Sequence, residues 1–207
     1  MDATGILGRF RVVPVVVIDD PKLAVQLAET LLRAGIKVME ITLRTEGALS
    51  SIEAVAKKVP DILVGAGSIR NVQQFADVSN AGAGFAVSPG TTSALINAAT
   101  KLQLPYVPGA ATASEMIVLL EYGYRLQKFF PAEAAGGIEF LKSVRSPIPE
   151  ARFMPTGGIS ESLAVSYLAL PNVSAVGGSW IAPPELITER KFDEIGTIAA
   201  RGARLGV

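Results

Sequence analysis

The chain has 207 residues, 49% of them apolar and 18% charged, with 19 basic and 19 acidic side chains and no formal net charge. That length supports a sizeable core, and the apolar content excludes a disordered chain. With no cysteine and no histidine, disulfides, iron–sulfur clusters and thiolate zinc sites are excluded, all-oxygen zinc is disfavoured, and magnesium held by carboxylates stays open.

No basic block or aromatic-interleaved patch marks a nucleic-acid surface, so no nucleic-acid partner is expected. The first twenty residues, "MDATGILGRFRVVPVVVIDD", hold an apolar run too short to span a bilayer and no charged segment with a small-residue cleavage site. A soluble cytoplasmic protein without a membrane partner is expected.

In chain order, the first β-branched run is "VVPVVVI" from Val12. "PKLAVQLAETLLRAG" follows, with apolar residues at 23, 24, 27, 28, 31 and 32. That stripe predicts a helix, with Pro21 in its first turn and Gly35 just past its end. Further strand-like runs are "KVMEITLR" from Lys37, "ILVGAGSI" from Ile62 and "FAVSPG" from Phe85. The stretch "TTSALINAATKL" comes next, then the run "PYVPGA" from Pro105 and the stretch "TASEMIVLLEYG". The run "LQKFFPA" starts at Leu126 and "RFMPTGGI" at Arg152, and the stretch "SESLAVSYLAL" precedes "VSAVGGSW" from Val173. The three helix-like stretches each begin with Ser or Thr, as helix N-caps do, and "TASE" and "SESL" resemble capping sequences.

The middles of the runs, taken as Val15, Glu40, Gly65, Val87, Val107, Lys128, Pro155 and Gly177, are spaced by 25, 25, 22, 20, 21, 27 and 22 residues. Eight strand–helix units at this period predict a single-domain, eight-stranded parallel β/α (TIM) barrel over 1–207. A doubly wound sheet is the competing arrangement.

In "VMEITLR", Val38, Glu40, Thr42 and Arg44 share one face, and Met39, Ile41 and Leu43 the other. Both faces of a parallel barrel strand are buried, the outer one under helices. If the apolar set faces the helices, Glu40 and Arg44 point inward, and the same phase turns Leu126, Lys128 and Phe130 inward. Active sites of such barrels form at the C-terminal ends of strands.

Lys128 stands in an apolar run, where a lysine is rarely buried without a partner. Loss of hydration disfavours the ammonium form. A neutral amine can attack a ketone, and the resulting imine serves as an electron sink for breaking a carbon–carbon bond. The plainer alternative is a surface lysine at a strand end. Glu40 is a candidate proton carrier. Its structural alternative is an ion pair with Arg44, but two strand repeats separate their Cα atoms by about 13 Å.

Arg44 and Ser68 are candidates for gripping a carboxylate, and Gly65 and Gly67 would let a ligand approach the backbone. The glycine pairs Gly157–Gly158 and Gly177–Gly178, with Ser179, follow the seventh and eighth runs, where barrels often place a phosphate.

Taken together, "EITLRT", "VGAGS", "VSPG", "KFFPAE", "PTGGI" and "GGSW" resemble the 2-keto-3-deoxy-6-phosphogluconate aldolase family, which includes 4-hydroxy-2-oxoglutarate aldolases. The resemblance runs from about Val12 to Pro183. It implies that Lys128 forms the Schiff base, that Glu40 transfers protons and that Arg44 binds the pyruvoyl carboxylate. It further implies that Pro89 lines the site, that Thr156 helps set substrate preference and that Ser179 lies at the phosphate. The barrel fold, a homotrimer, and the absence of a metal or other cofactor are also implied.

Two departures stand out. Ser68 replaces the threonine common in the family, and the segment before Val12 is short, so any N-terminal helix should be abbreviated. The expected activity is cleavage of 2-keto-3-deoxy-6-phosphogluconate to pyruvate and glyceraldehyde 3-phosphate, with phosphogalactonate and hydroxyoxoglutarate substrates unranked against it. The rival readings are another phosphate-binding barrel, of epimerase or thiamine-phosphate synthase type, and a non-catalytic sugar-phosphate-binding barrel.

Overall fold

The β-branched runs form strands and the intervening stretches form helices in the computed structural model, which describes residues 1–205. The strands are β1 (Val12–Val16), β2 (Val38–Thr42), β3 (Leu63–Gly67), β4 (Ala86–Val87), β5 (Tyr106–Val107), β6 (Gly109–Ala110), β7 (Leu126–Phe129), β8 (Arg152–Pro155) and β9 (Val176–Gly178). The first five helices are α1 (Thr4–Leu7), α2 (Pro21–Arg33), α3 (Ala48–Lys58), α4 (Val72–Asn80) and α5 (Ser93–Leu102). After them come α6 (Ala113–Glu121), α7 (Gly137–Val144), α8 (Glu161–Leu168), α9 (Pro184–Thr188) and α10 (Phe192–Gly202). None of the described helices is long and apolar enough to cross a membrane.

Several helices begin at a side-chain cap. Asp20 caps α2 by accepting from the Lys22 amide at 2.7 Å, and Pro21 occupies the first turn, where its missing N–H costs nothing. Gly35 follows the C-cap with φ +92°, a conformation suited to glycine. Thr92, Thr112 and Ser160 cap α5, α6 and α8 with their hydroxyls. "TASE" forms a complete capping box, because Glu115 reaches back to the Thr112 amide. "SESL" does not, since its fourth residue is Leu163, which has no side-chain acceptor to return. The N-terminal helix α1 has four residues, as short as expected.

All strand pairings are parallel, but they do not form the closed eight-stranded barrel that the spacing predicted. The ladder divides into a six-stranded sheet, ordered β5–β4–β3–β2–β1–β9, and a three-stranded sheet, β6–β7–β8. The fifth run is where the sheets part. Pro108 has no N–H to donate and divides the run into β5, which pairs with β4, and β6, which pairs with β7. The Pro108 carbonyl accepts from the Lys128 amide at 2.8 Å, so the chain leaves one sheet and enters the other at this residue. At the opposite junction β8 and β9 share no ladder. Single bridges, Phe153 to Val173 and Thr156 to Gly177, stand in its place.

The two sheets share one interior. All five residues of β1 and of β2 are buried, as expected of parallel strands covered on both faces. Phe85 is fully buried and takes the room left by Gly65, where an added Cβ would lie 2.3 Å from its ring. The buried polar groups include Glu40, Thr42, Ser88, Lys128 and Thr156, which come from both sheets.

Candidate active site

Strand alternation places the central pair. On β7, the Gln127 amide group donates to the carbonyls of Met116 and Tyr124, toward α6, at 3.1 Å each. Its neighbour Lys128 therefore faces the interior. On β2, Glu40 is the inward residue between Met39 and Ile41. The structure brings the two together: Lys128 Nζ lies 3.4 Å from Glu40 Oε1. Lys128 is 3% exposed and Glu40 0%.

Buried charges persist when they are paired, and this contact joins one sheet to the other. Glu40 Oε2, also buried, has no hydrogen-bond partner among the described residues. A carboxylate oxygen left over in this way calls for a functional explanation. The Phe130 ring stands 5.4 Å from Nζ, within cation–π range.

Room for the carboxylate comes from Gly67. It pairs in register with Thr42, and an added Cβ there would fall 1.9 Å from Glu40 Oε1. Gly65 and Gly67 thus make space for the chain's own Phe85 and Glu40. The expectation that both would open the backbone to a ligand is corrected accordingly.

Arg44 and Ser68 lie just beyond β2 and β3, and Arg44 Nε donates to Ser68 Oγ at 3.2 Å. Arg44 is exposed while Glu40 is buried, so these two do not form the structural ion pair that sequence left open. Ser68 has φ +61°, an uncommon conformation for a residue other than glycine. Such conformations persist where surrounding contacts enforce them, and they cluster at functional sites.

Arg44 and Phe130 line a cavity of about 290 Å³. The loop after β8 adds Thr156, Gly157 and Gly158 to its lining, and the end of β9 adds Gly177 and Ser179. Gly157 and Gly158 have φ of +106° and +78°, which turn the chain sharply at the cavity. A side chain at Gly177 would strike Thr156 Oγ1, at 2.2 Å from the added Cβ.

Sequence reasoning missed Val15 and Ile159, which complete the lining. The signal for Val15 was its register, since it pairs with Glu40 and so shares its phase. Three of the expected binding residues, Ser68, Pro89 and Gly178, lie off the cavity. The space beside Gly178 is filled by the Trp180 ring, 1.6 Å from where a Cβ would be, and the Pro89 backbone packs against Gly109. Lys128 and Glu40 do not line this cavity themselves. Phe130 touches both regions. Among the described residues, no group of three or more acidic side chains is placed to hold a metal ion.

Fold and site together define a parallel α/β protein whose interior holds a lysine–carboxylate pair beside a glycine-lined cavity. Residues 4–198 match the KDPG and KHG aldolase family. The chain is 45% identical over 206 residues to the KHG/KDPG aldolase of Escherichia coli strain K12, covering 98% of this chain and 97% of that one. It is 48% identical over 188 residues to the 2-dehydro-3-deoxy-phosphogluconate aldolase of Pseudoalteromonas atlantica, covering 91% and 87%. Among solved structures, it resembles a KDPG aldolase from Legionella pneumophila with pyruvate captured as a covalent carbinolamine. The TM-score is 0.93 at 43% identity, with 97% of each chain covered. The chain belongs to the KDPG and KHG aldolase family.

Proposed function

We propose that this chain is a Schiff-base aldolase that cleaves 2-keto-3-deoxy-6-phosphogluconate to pyruvate and glyceraldehyde 3-phosphate. The observation that carries the reading is the buried contact between Lys128 Nζ and Glu40 Oε1 at 3.4 Å. Family membership supports it, as do relatives named for this activity and a relative holding pyruvate as a carbinolamine.

In this reading Lys128, as the free amine, attacks the C2 ketone. The carbinolamine loses water and an iminium forms. Glu40 takes the C4 hydroxyl proton through a water, and the C3–C4 electron pair moves into the iminium as the bond breaks. Glyceraldehyde 3-phosphate leaves, and the remaining enamine is protonated at C3 and hydrolysed to pyruvate. Glu40 suits this role because one oxygen faces the lysine while the other is uncommitted.

Arg44 and Ser68 hold the carboxylate, and Pro89 and Phe130 shape the site near Lys128. Thr156, Gly157, Gly158, Gly177, Gly178 and Ser179 form the phosphate end and set substrate preference. Off the cavity, Gly178 contributes by leaving room for the Trp180 ring. The same reading takes 1–207 as one catalytic domain working in the cytoplasm as a homotrimer.

The substrate assignment rests on the cavity between Arg44 and the glycine loops. A phosphate contact of this kind contributes about 1.5–3 kcal/mol, or roughly ten- to a hundred-fold. The phosphorylated six-carbon substrate should exceed 4-hydroxy-2-oxoglutarate in kcat/KM by about that factor. Ser179→Ala should narrow the gap while pyruvate still forms its adduct at Lys128. Steady-state kinetics with both substrates on both proteins test this. Equal wild-type efficiencies, or parallel loss of both activities in the variant, would reject the phosphogluconate assignment.

A further inference from the structure

We infer that Glu133 and Tyr167, neither of which lines the cavity, form a latch that fixes the Thr156–Gly158 loop relative to the Lys128 strand and so sets selectivity for the phosphorylated end of the substrate. The inference rests on the aldolase reading and deepens it.

The loop needs such a fixture. Its two successive glycines have positive φ and no side chains of their own to pack. Lys128 sits on β7, and the segment that follows β7 grips the loop from beneath. The Ala132 amide donates to the Thr156 carbonyl at 2.9 Å, and the Glu133 amide donates to the Gly157 carbonyl at 3.2 Å. The Glu133 stem lies under Gly158, where an added Cβ would be 2.9 Å from Glu133 Cγ.

Beyond that stem, the carboxylate of Glu133 accepts from the hydroxyl of Tyr167. Tyr167 is fully buried on α8, the helix into which the loop runs. The latch therefore ties the segment after Lys128 to the helix after the loop, with Gly158 held between them. Gly137 makes way for it, since an added Cβ would sit 3.2 Å from Glu133 Oε1 and 3.3 Å from the Tyr167 hydroxyl.

Although Glu133 is itself exposed, its oxygen satisfies a buried phenol, and a buried hydroxyl without a partner is destabilising. Burial first, and the Glu133 carboxylate second, raise the Tyr167 titration above its usual range, so the phenol stays protonated and a donor at neutral pH. These residues act as positioning residues, because Glu133 touches the loop, Tyr167 holds Glu133, and neither touches the reacting atoms.

The test compares Tyr167→Phe, Glu133→Ala and Glu133→Gln with the wild type. In the first two, the ratio of kcat/KM for the phosphorylated substrate to that for 4-hydroxy-2-oxoglutarate should fall about ten-fold, mainly through KM. Pyruvate trapping at Lys128 should be unchanged, and hydrogen exchange should quicken at the amides of residues 132 and 133, which donate to the Thr156 and Gly157 carbonyls. Glu133→Gln keeps a carbonyl acceptor for the phenol and should restore both the ratio and the protection. If Tyr167→Phe does not fold, the contrast between the two Glu133 variants decides.

An unchanged ratio overturns the latch, whether or not exchange quickens. So does a parallel loss of both activities and of trapping, which would mean the pair serves only the fold. A wild type that forms no pyruvate adduct overturns the aldolase reading instead, and unchanged exchange at the amides of residues 132 and 133 rejects the latch by itself.

Discussion

At Glu40, the carboxylate is buried, with Lys128 on one oxygen and no hydrogen-bond partner among the described residues on the other. Glu40→Gln preserves the shape of the side chain and removes its basicity. A kcat loss of about 10²–10⁴-fold is expected, as for general acid–base groups, with the folded state intact by circular dichroism. Near-normal turnover would mean that the pair is structural.

Gly67 offers a sharper steric test. An added methyl would lie 1.9 Å from Glu40 Oε1 and 2.7 Å from its Cγ, so the enclosed side chain must shift as a whole. Gly67→Ala should cost at least about 1–3 kcal/mol in urea unfolding. A misplacement of an ångström can lower turnover by about 10²-fold, and that loss is expected here. A variant with full activity would show that the position of Oε1 is unimportant.

Both inward residues were legible from alternation, because the period of two turns Glu40 and Lys128 away from the helix-facing set. The Glu133–Tyr167 contact was not legible, since its partners are 34 residues apart and meet only once α8 has docked.

Among the elements, α6 shows how much one local motif supplies. Thr112 and Glu115 satisfy each other's first-turn amides. Thr112→Ala should destabilise the protein by about 1 kcal/mol. The carboxyl of Glu115 is held below its ordinary value of 4.5, chiefly by the hydrogen bond from the Ala111 amide, with burial opposing. A depressed native value means that the unfolded chain binds the proton more readily. The stabilisation from Glu115 is therefore full above 4.5 and fades as pH falls through the lower native value. Urea unfolding of the wild type and Glu115→Gln should differ at neutral pH and converge in acid. A constant difference would mean that the charge is not what matters.

Motifs of this kind made α5, α6 and α8 readable, because a cap and its amides lie within four residues of each other. Strand closure was less readable. The run "PYVPGA" announced a strand, yet its central Pro108 carried the opposite message, and it is this residue that divides the run between two sheets. Similarly, "PTGGI" and "GGSW" meet through one bridge, between Thr156 and Gly177. Even spacing measures how many units there are, whereas closure depends on hydrogen bonds between residues remote in sequence.

Across the whole molecule, the six-stranded and three-stranded sheets contribute one member each to the central pair. Glu40 comes from β2 and Lys128 from β7, so the pair sits where the two sheets face each other. The glycine-lined cavity likewise draws on both, with Arg44 and Ser179 following strands of the larger sheet and Phe130 and Thr156 following strands of the smaller.

The claim on which everything else depends is that Lys128 is the amine that bonds to substrate. Incubation with pyruvate and borohydride, followed by peptide mapping, measures it directly. A single reduced adduct on Lys128 is the expected result, in the wild type and in Ser179→Ala alike. No adduct, or an adduct on any other lysine, contradicts it.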